Sequence, residues 1–335
     1  MKEKIGVIGG GAWGTALTLL LAEKGHGVTL WMYEKDLAEE AARTRENRTY
    51  LPGFSLPASV EVTSVLETAV KGKTVILSVV PSHTVRAVAK QFAPFLTNKA
   101  VIISASKGIE IETLMPLSEV FKDTLPKPFH NRLCFLSGPS FAREVAQKMP
   151  TAVSLASYDP AIGKKAQEIM SSPFFRVYTN SDVMGVELGG SLKNVVAIAA
   201  GVLEGLGYGY NTMAALLTRG LAEMARLGTA MGANPFTFSG LAGMGDLVLT
   251  CTGDLSRNRT VGKRVGRGER IGDVLSGMTM VAEGVRTAVS AVELSRRTGV
   301  PMPISEQVHA ILHEGKDARE AVSELFARAL KREKE

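Results

Sequence analysis

Apolar residues in the first half of the chain come in short runs separated by amphipathic stretches. Lys4–Gly9 and Val28–Met32 read as buried strands. Between them Ala12–Lys24 has helical spacing and stops at Gly25, a residue suited to the position just past a helix end. The three segments make a βαβ unit of about the expected ~30 residues. A helical pattern at Asp36–Arg45 and a loop, YLPGFSLP, at 50–57 follow. Strand-like runs recur at Val60–Thr63, Thr74–Val79, Ala100–Ser104, Leu133–Leu136 and Ala152–Ala156, with helical patterns between several of them. Such alternation predicts a mostly parallel sheet covered on both faces.

From about Asp182 the period changes. Val195, Val196, Ile198, Ala199 and Val202 recur at helical spacing, and Asn211–Met231, Glu283–Thr298, Ile304–His313 and Ala318–Leu330 read as further helices. The pattern predicts an α/β domain over 1–185 followed by an all-α domain over 186–335, joined by a packed passage. The final RALKREKE, 328–335, reads as a frayed, solvated helix tip.

Composition narrows the function classes. The 335 residues are 45% apolar, ample for two packed cores. A net charge of +6 suits an anionic ligand, and with only 6% aromatics there is no base-stacking platform, so nucleic acid is not an expected partner. Two distant cysteines, Cys134 and Cys251, exclude a disulfide framework and suit a reducing cytosol. His309 and His313 stand i,i+4, but Ala310 replaces the Glu of the zinc-protease helix, and no metal is expected. The uncharged run Ile5–Ala22 imitates a signal peptide or short span, yet its five glycines suit a strand, a turn and a helix start. No other stretch is read as long and apolar enough to cross a bilayer.

Gly9-Gly10-Gly11-Ala12-Trp13-Gly14 satisfies G-x-G-x-x-G between a strand and a helix, the context that gives this motif meaning as a Rossmann-type pyrophosphate site. A plain glycine turn or a methyltransferase loop gives the same letters. Glu34, about 20 positions on, is placed for ribose hydroxyls, or else is a solvated helix-terminal charge. Only Lys35 is near enough to greet a 2′-phosphate, so the pattern leans to NAD and leaves NADP open. Lys107 and the 137–142 loop follow strands, where ligands of open sheets bind. Lys193 and Asn194 are odd choices on an apolar helix, and Lys193 is a candidate acid, unless it snorkels to the surface. Arg257 and Arg259, flanking Asn258, suit a phosphate, or else a solvated face.

In combination these residues resemble the NAD(P)-dependent glycerol-3-phosphate dehydrogenases of bacterial type. The resemblance runs almost end to end: GGGAWGTAL, VVPSH at 79–83, SKG at 106–108, SGPSFA at 137–142, ELGGSLKNV, RGLAEM at 219–224, GLAGMGDLVLTCT and SRNR. It implies a Rossmann-type N-terminal domain, an all-α C-terminal domain, and interconversion of dihydroxyacetone phosphate and sn-glycerol 3-phosphate with NAD or NADP. It further implies a cytoplasmic role in supplying glycerophospholipid synthesis. A triose phosphate is the expected small-molecule partner, and a homodimer the expected assembly.

Carried across by position, the resemblance makes Lys193 the catalytic acid/base. Lys107, Gly138, Ser140, Lys193, Asp246, Ser256, Arg257 and Asn258 would contact substrate. Gly9, Gly11, Ala12, Trp13, Gly14, Tyr33, Glu34, Lys107, Ala142, Arg257, Val281 and Glu283 would lie along the cofactor. Bacterial relatives often have a basic residue or His at position 33, so Tyr33-Glu34 looks more like the NAD-preferring eukaryotic members. In the expected reaction Lys193 protonates the carbonyl oxygen, Lys107 disfavours charging of Lys193, and Asp246 orients it. Two rival readings are a sugar-nucleotide dehydrogenase with Cys251 as nucleophile, and a dinucleotide-sensing regulator without turnover.

Overall fold

The structure is a computed structural model and describes residues 2–330 and 332–333. Its first half is built on a sheet of eight strands: β1 (Lys4–Ile8), β2 (Gly27–Trp31), β3 (Glu61–Thr63), β4 (Val75–Ser78), β5 (Val101–Ser104), β6 (Leu133–Ser137), β7 (Thr151–Ser157) and β8 (Phe175–Asn180). Their order across the sheet is β3-β2-β1-β4-β5-β6-β7-β8. β1 to β6 run parallel, with Ile5 beside both Val28 and Val75, and Val75 beside Val101. Alternate residues of each central strand enter opposite cores. Val75, Leu77, Val101 and Ile103 face one layer of helices; Ile76 and Ile102 face the other, with Phe92 and Phe121. Burial on both faces explains why these strands read as unbroken apolar runs.

The sheet is mostly parallel as expected, with two features that the sequence pattern did not specify. β7 is antiparallel to β6, with Phe135 beside Ala156. β8, absent from the sequence reading, is an edge strand: Phe175 and Val177 point inward while Arg176 and Tyr178 are exposed, so it has no continuous apolar run. The run Ile5–Ala22 becomes β1, the glycine turn and most of the Ala12–Glu23 helix, and both Ile5 and Ala22 are buried.

After Asn180 the described residues are helical or irregular. The Val183–Gly205 helix is the axis of this half: 18 of its 23 residues are buried. By length and apolarity it would pass for a membrane span, which corrects the expectation that no stretch beyond the N-terminus does so. However, 89% of its apolar window is covered by protein, as in a core helix. The Arg257–Gly266 helix lies unusually close against it. A Cβ on Gly262 would come within 1.9 Å of the Ile198 carbonyl oxygen, and one on Gly201 within 2.0 Å of that of Arg259. This close approach sets where Arg257 stands. The Tyr210–Ala230, Glu283–Thr298 and Pro303–His313 helices complete the bundle. Glu223 of the RGLAEM motif is 1% exposed and accepts from the Ile304 and Ser305 amides, both 2.9 Å, capping the Pro303–His313 helix from a neighbour. The last helix, Ala318–Phe326, ends before Leu330. Lys331, Lys334 and Glu335 of the expected helix tip lie outside the described residues.

Candidate active site

Because β1, β4, β5 and β6 are parallel, the loops leaving them meet at one edge of the sheet. The first is the glycine turn. Gly9 has φ +123°, and its amide donates to the Trp31 carbonyl at 3.1 Å, tying the turn to the end of β2. A Cβ on Gly14 would lie 1.9 Å from the Gly9 carbonyl oxygen, whereas one on Gly11 would meet nothing within 4 Å. No side chain caps the Ala12–Glu23 helix, so its first-turn amides face that open space with the positive end of the helix dipole. These donors fit a dinucleotide pyrophosphate. Trp13, half-buried, packs against Phe175 with ring centroids 6.4 Å apart. At the end of β2, Tyr33 is exposed with its ring edge-on to Trp31. The exposed Glu34 carboxylate does not cap its own helix; it accepts from the Tyr50 hydroxyl at 3.0 Å.

Next along the edge lies a buried charged cluster. The Lys193 ammonium donates to Asp246 Oδ1 and, at 2.7 Å, to Thr250 Oγ1. Lys107 Nζ donates to Asp246 Oδ2 at 2.6 Å and to the Gly138 carbonyl at 3.3 Å. Ser140 Oγ donates to that same carbonyl at 3.0 Å, and Ser137 Oγ to Asp246 Oδ2 at 3.4 Å. One carboxylate, 1% exposed, therefore bridges two ammonium groups. Asp246 is delivered by a π-helical turn, Leu241–Gly245, a distortion that recurs at functional sites.

Burial pushes Lys193 down to about 8, Asp246 opposes that shift, and the Lys107 charge adds to it. The expectation named Lys107 as the depressing influence; loss of solvation is the larger one. Burial alone would raise the Asp246 carboxyl, but Lys107 and Lys193 hold it below the usual carboxylate range.

The helical half supplies the opposite wall. Ser256 caps the Arg257–Gly266 helix, its Oγ accepting from the Arg259 amide at 3.2 Å. The Arg257 and Asn258 amides, first in that helix, have no partner within it. Arg257 is exposed by surface area, but surrounding protein strips enough solvation from its guanidinium to push it below its usual range, against the opposing charge of Glu283. The Asn258 side chain is committed elsewhere: it donates to Asn194 Oδ1 and accepts from the Gly284 amide, both at 2.9 Å. What Asn258 leaves for an anion is its backbone amide. Glu283 reaches across to the loop after β4, accepting from Ser82 N at 2.9 Å and Ser82 Oγ at 2.5 Å. Val281 is 38% exposed just before that helix, and Ala142 opens the short Ala142–Ala146 helix after the 137–141 loop.

Lys107, Gly138, Ser140, Lys193 and Asp246 thus form one hydrogen-bonded network. Asn258 stands apart from that network, bonded to Asn194, which is next to Lys193 in the chain. Asn194 stood out in the sequence beside Lys193 as a polar residue on an apolar helix. Thr250, Ser137 and Ser82 were given no role from sequence; of these three Thr250 had a signal, standing four residues after Asp246 on one helix face. Cys251 is fully buried and burial pushes its thiol up to about 12, which removes it as a nucleophile. The His309 and His313 rings lie 4.9 Å apart, but His309 pairs with Glu314 and His313 with the Val285 carbonyl. No cluster of three or more metal-ligating side chains occurs among the described residues.

Comparison with known proteins decides the family. A model described as the NAD-dependent glycerol-3-phosphate dehydrogenase N-terminus matches residues 4–162, and its C-terminal counterpart matches 182–323. The chain belongs to this family. A glycerol-3-phosphate dehydrogenase [NAD(P)+] of Geobacter sulfurreducens is 58% identical over 334 residues, covering 100% of both chains. The crystal structure of glycerol-3-phosphate dehydrogenase from Coxiella burnetii is 41% identical, with a TM-score of 0.93 over 98% of this chain and 99% of that one. GPD1 from Saccharomyces cerevisiae, another glycerol-3-phosphate dehydrogenase, is 27% identical, with a TM-score of 0.81 over 96% and 99%. Membership in the glycerol-3-phosphate dehydrogenase family, with Cys251 removed as a nucleophile, excludes the sugar-nucleotide dehydrogenase reading.

Proposed function

We propose that the chain interconverts dihydroxyacetone phosphate and sn-glycerol 3-phosphate with NAD or NADP. The observation that carries this reading is the Lys107–Asp246–Lys193 cluster, on the same side of the sheet as an open glycine turn, together with the N-terminus of the Arg257–Gly266 helix, where the Ser256 cap takes only the Arg259 amide. The bound nicotinamide supplies or accepts the hydride. The protein's own groups do the rest. Lys193, as ammonium, polarises the substrate carbonyl oxygen and gives it a proton; in the reverse direction the neutral amine takes that proton back. A lysine held at about 8 has both forms accessible near neutral pH. Asp246 keeps two cations together in a buried space and orients Lys193, with Thr250 fixing a second proton of the ammonium. Arg257 and the amides of Arg257 and Asn258 bind the phosphate, so binding energy remote from the carbonyl positions the reacting carbon.

In this reading Gly9, Gly11, Ala12 and Gly14 take the pyrophosphate, and Tyr33 and Glu34 the adenosine ribose. Trp13, Lys107, Ala142, Arg257, Val281 and Glu283 line the rest of the cofactor, while Gly138, Ser140 and Ser256 shape the substrate pocket. The unit over 1–185 binds the nucleotide and the unit over 186–335 supplies the acid. The enzyme works in the cytoplasm, as a homodimer, to supply glycerol 3-phosphate for glycerophospholipid synthesis. The test is loss of nicotinamide absorbance with dihydroxyacetone phosphate, run in parallel with NADH and NADPH. A nucleotide-binding protein without turnover would overturn the reading.

A further inference from the structure

The segment after the Lys35–Thr44 helix is fastened to the cofactor side of the molecule through Asn47 and Tyr50. Asn47 is 2% exposed; its Nδ2 donates to the Gly10 carbonyl at 2.7 Å and to Thr15 Oγ1 at 2.8 Å. Both acceptors belong to the glycine turn or the first turns of its helix. Asn47 Oδ1 accepts from the Tyr50 amide at 3.2 Å, and the Asn47 carbonyl from the Leu51 amide at 2.9 Å. Arg45 closes the base of the same loop, with its Nε on the Leu56 carbonyl at 3.3 Å and its Nη2 on the Val60 carbonyl at 2.9 Å. The loop is therefore a bracket bolted to the pyrophosphate turn. Its half-buried tyrosine packs against the sheet's apolar layer and sends its hydroxyl to Glu34 Oε1 at 3.0 Å. Burial, then the Glu34 charge, pushes the Tyr50 phenol up, so the hydroxyl keeps its proton and acts as donor.

We propose that Tyr50 is a positioning residue that sets cofactor specificity through Glu34. Glu34 is exposed and unrestrained by its own helix, so without a partner its carboxylate would sample many rotamers in solvent. The Tyr50 hydroxyl holds one carboxylate oxygen and leaves the other available to accept from a ribose 2′-hydroxyl. A carboxylate fixed there also meets a 2′-phosphate with like charge and no donor. Both effects act in one direction, favouring NADH over NADPH. Asn47 transmits the geometry of the glycine turn to this pair, so pyrophosphate and ribose are read by one rigid piece. The inference rests on the proposed placement of the adenosine ribose at Glu34.

The test is direct binding, followed by nucleotide fluorescence, of NADH and NADPH to the full chain and to Tyr50→Phe, Glu34→Gln and the double variant. Phenylalanine keeps the ring and removes only the donor. Tyr50→Phe should shrink the preference for NADH on the order of 3–10-fold, the worth of one pre-ordered side chain. Glu34→Gln should shrink it too, and the double variant should go no further than Glu34→Gln alone. A preference within twofold of the parent in Tyr50→Phe, while Glu34→Gln shifts it, overturns the role of Tyr50 and leaves the ribose placement standing. Additive shifts in the double variant would show that Tyr50 acts on the nucleotide without Glu34, and also overturn the inference. No shift in Glu34→Gln removes the ribose placement, and the inference with it.

Discussion

Replacing Asp246 by Asn keeps the size and hydrogen-bonding shape of a buried side chain while removing the anion held between two ammonium groups. With Asp246 in place, Lys193 titrates at about 8. An opposite charge at hydrogen-bond distance shifts a neighbouring group by roughly 1–3 units, so the Asn variant should carry Lys193 down to roughly 5–7. At pH 7 the ammonium fraction would then fall from about nine-tenths to between about one-half and one-hundredth. Reduction of dihydroxyacetone phosphate needs the ammonium. The high-pH limb of its kcat/KM profile should therefore move from about 8 toward the acid side. Oxidation of glycerol 3-phosphate needs the neutral amine, and its low-pH limb should move the same way. Lys107→Met makes the opposite prediction. It removes a cation that depresses Lys193, so the limb should move alkaline even if the overall rate falls. The assay is initial rate against pH at limiting substrate for the three proteins. A limb that stays put in Asp246→Asn, or moves acid in Lys107→Met, would refute the electrostatic account of the cluster.

Other consequences follow from the same geometry. Arg257→Ala should lose on the order of 2–5 kcal/mol in kcat/KM for dihydroxyacetone phosphate, the worth of a charge pair that becomes enclosed when substrate binds, and change the poor reduction of unphosphorylated dihydroxyacetone little; equal losses for both substrates would remove the phosphate role. Glu34→Arg should shift the kcat/KM ratio from NADH toward NADPH, and an unchanged ratio would contradict the ribose placement. Gly262→Ala puts a methyl group within 1.9 Å of a backbone oxygen and should destabilise the fold by at least ~1–3 kcal/mol in urea unfolding. A wild-type midpoint in that variant would mean that the helix pair is not as tightly set as described.

Much of this architecture could be read from the chain because one signal served each element. Glycines at 9, 11 and 14 could be placed between a strand and a helix, and Lys193 stood out against an apolar helix. What escaped had no local signature. The direction of β7 is one example: a connection of loop and short helix between β6 and β7 looks like any other crossover, and periodicity carries no sign of parallel or antiparallel. β8 escaped because an edge strand covered on one face mixes Arg176 and Tyr178 with two apolar residues. In the site, Arg257 and Asn258 looked alike as phosphate ligands. Only the fold reveals that the Asn258 amide group is consumed by Asn194 and Gly284, leaving its backbone N–H for the anion. Ser82 was invisible as a single hydroxyl among many, and Thr250 had only its spacing of four from Asp246 to mark it. Their partners lie 201 and 57 residues away in sequence.

The central claim is that Lys193 delivers the proton in reduction of dihydroxyacetone phosphate. The most direct measurement is kcat for that reduction in wild type, Lys193→Ala and Lys193→Arg, with nucleotide affinity measured alongside. Alanine should lower kcat by ~10²–10⁴, the usual worth of one general acid, and arginine should not restore it, because a guanidinium does not give up its proton in this range. NADH affinity should persist in both variants. Near-normal turnover in Lys193→Ala would contradict the account and move the acid to Lys107.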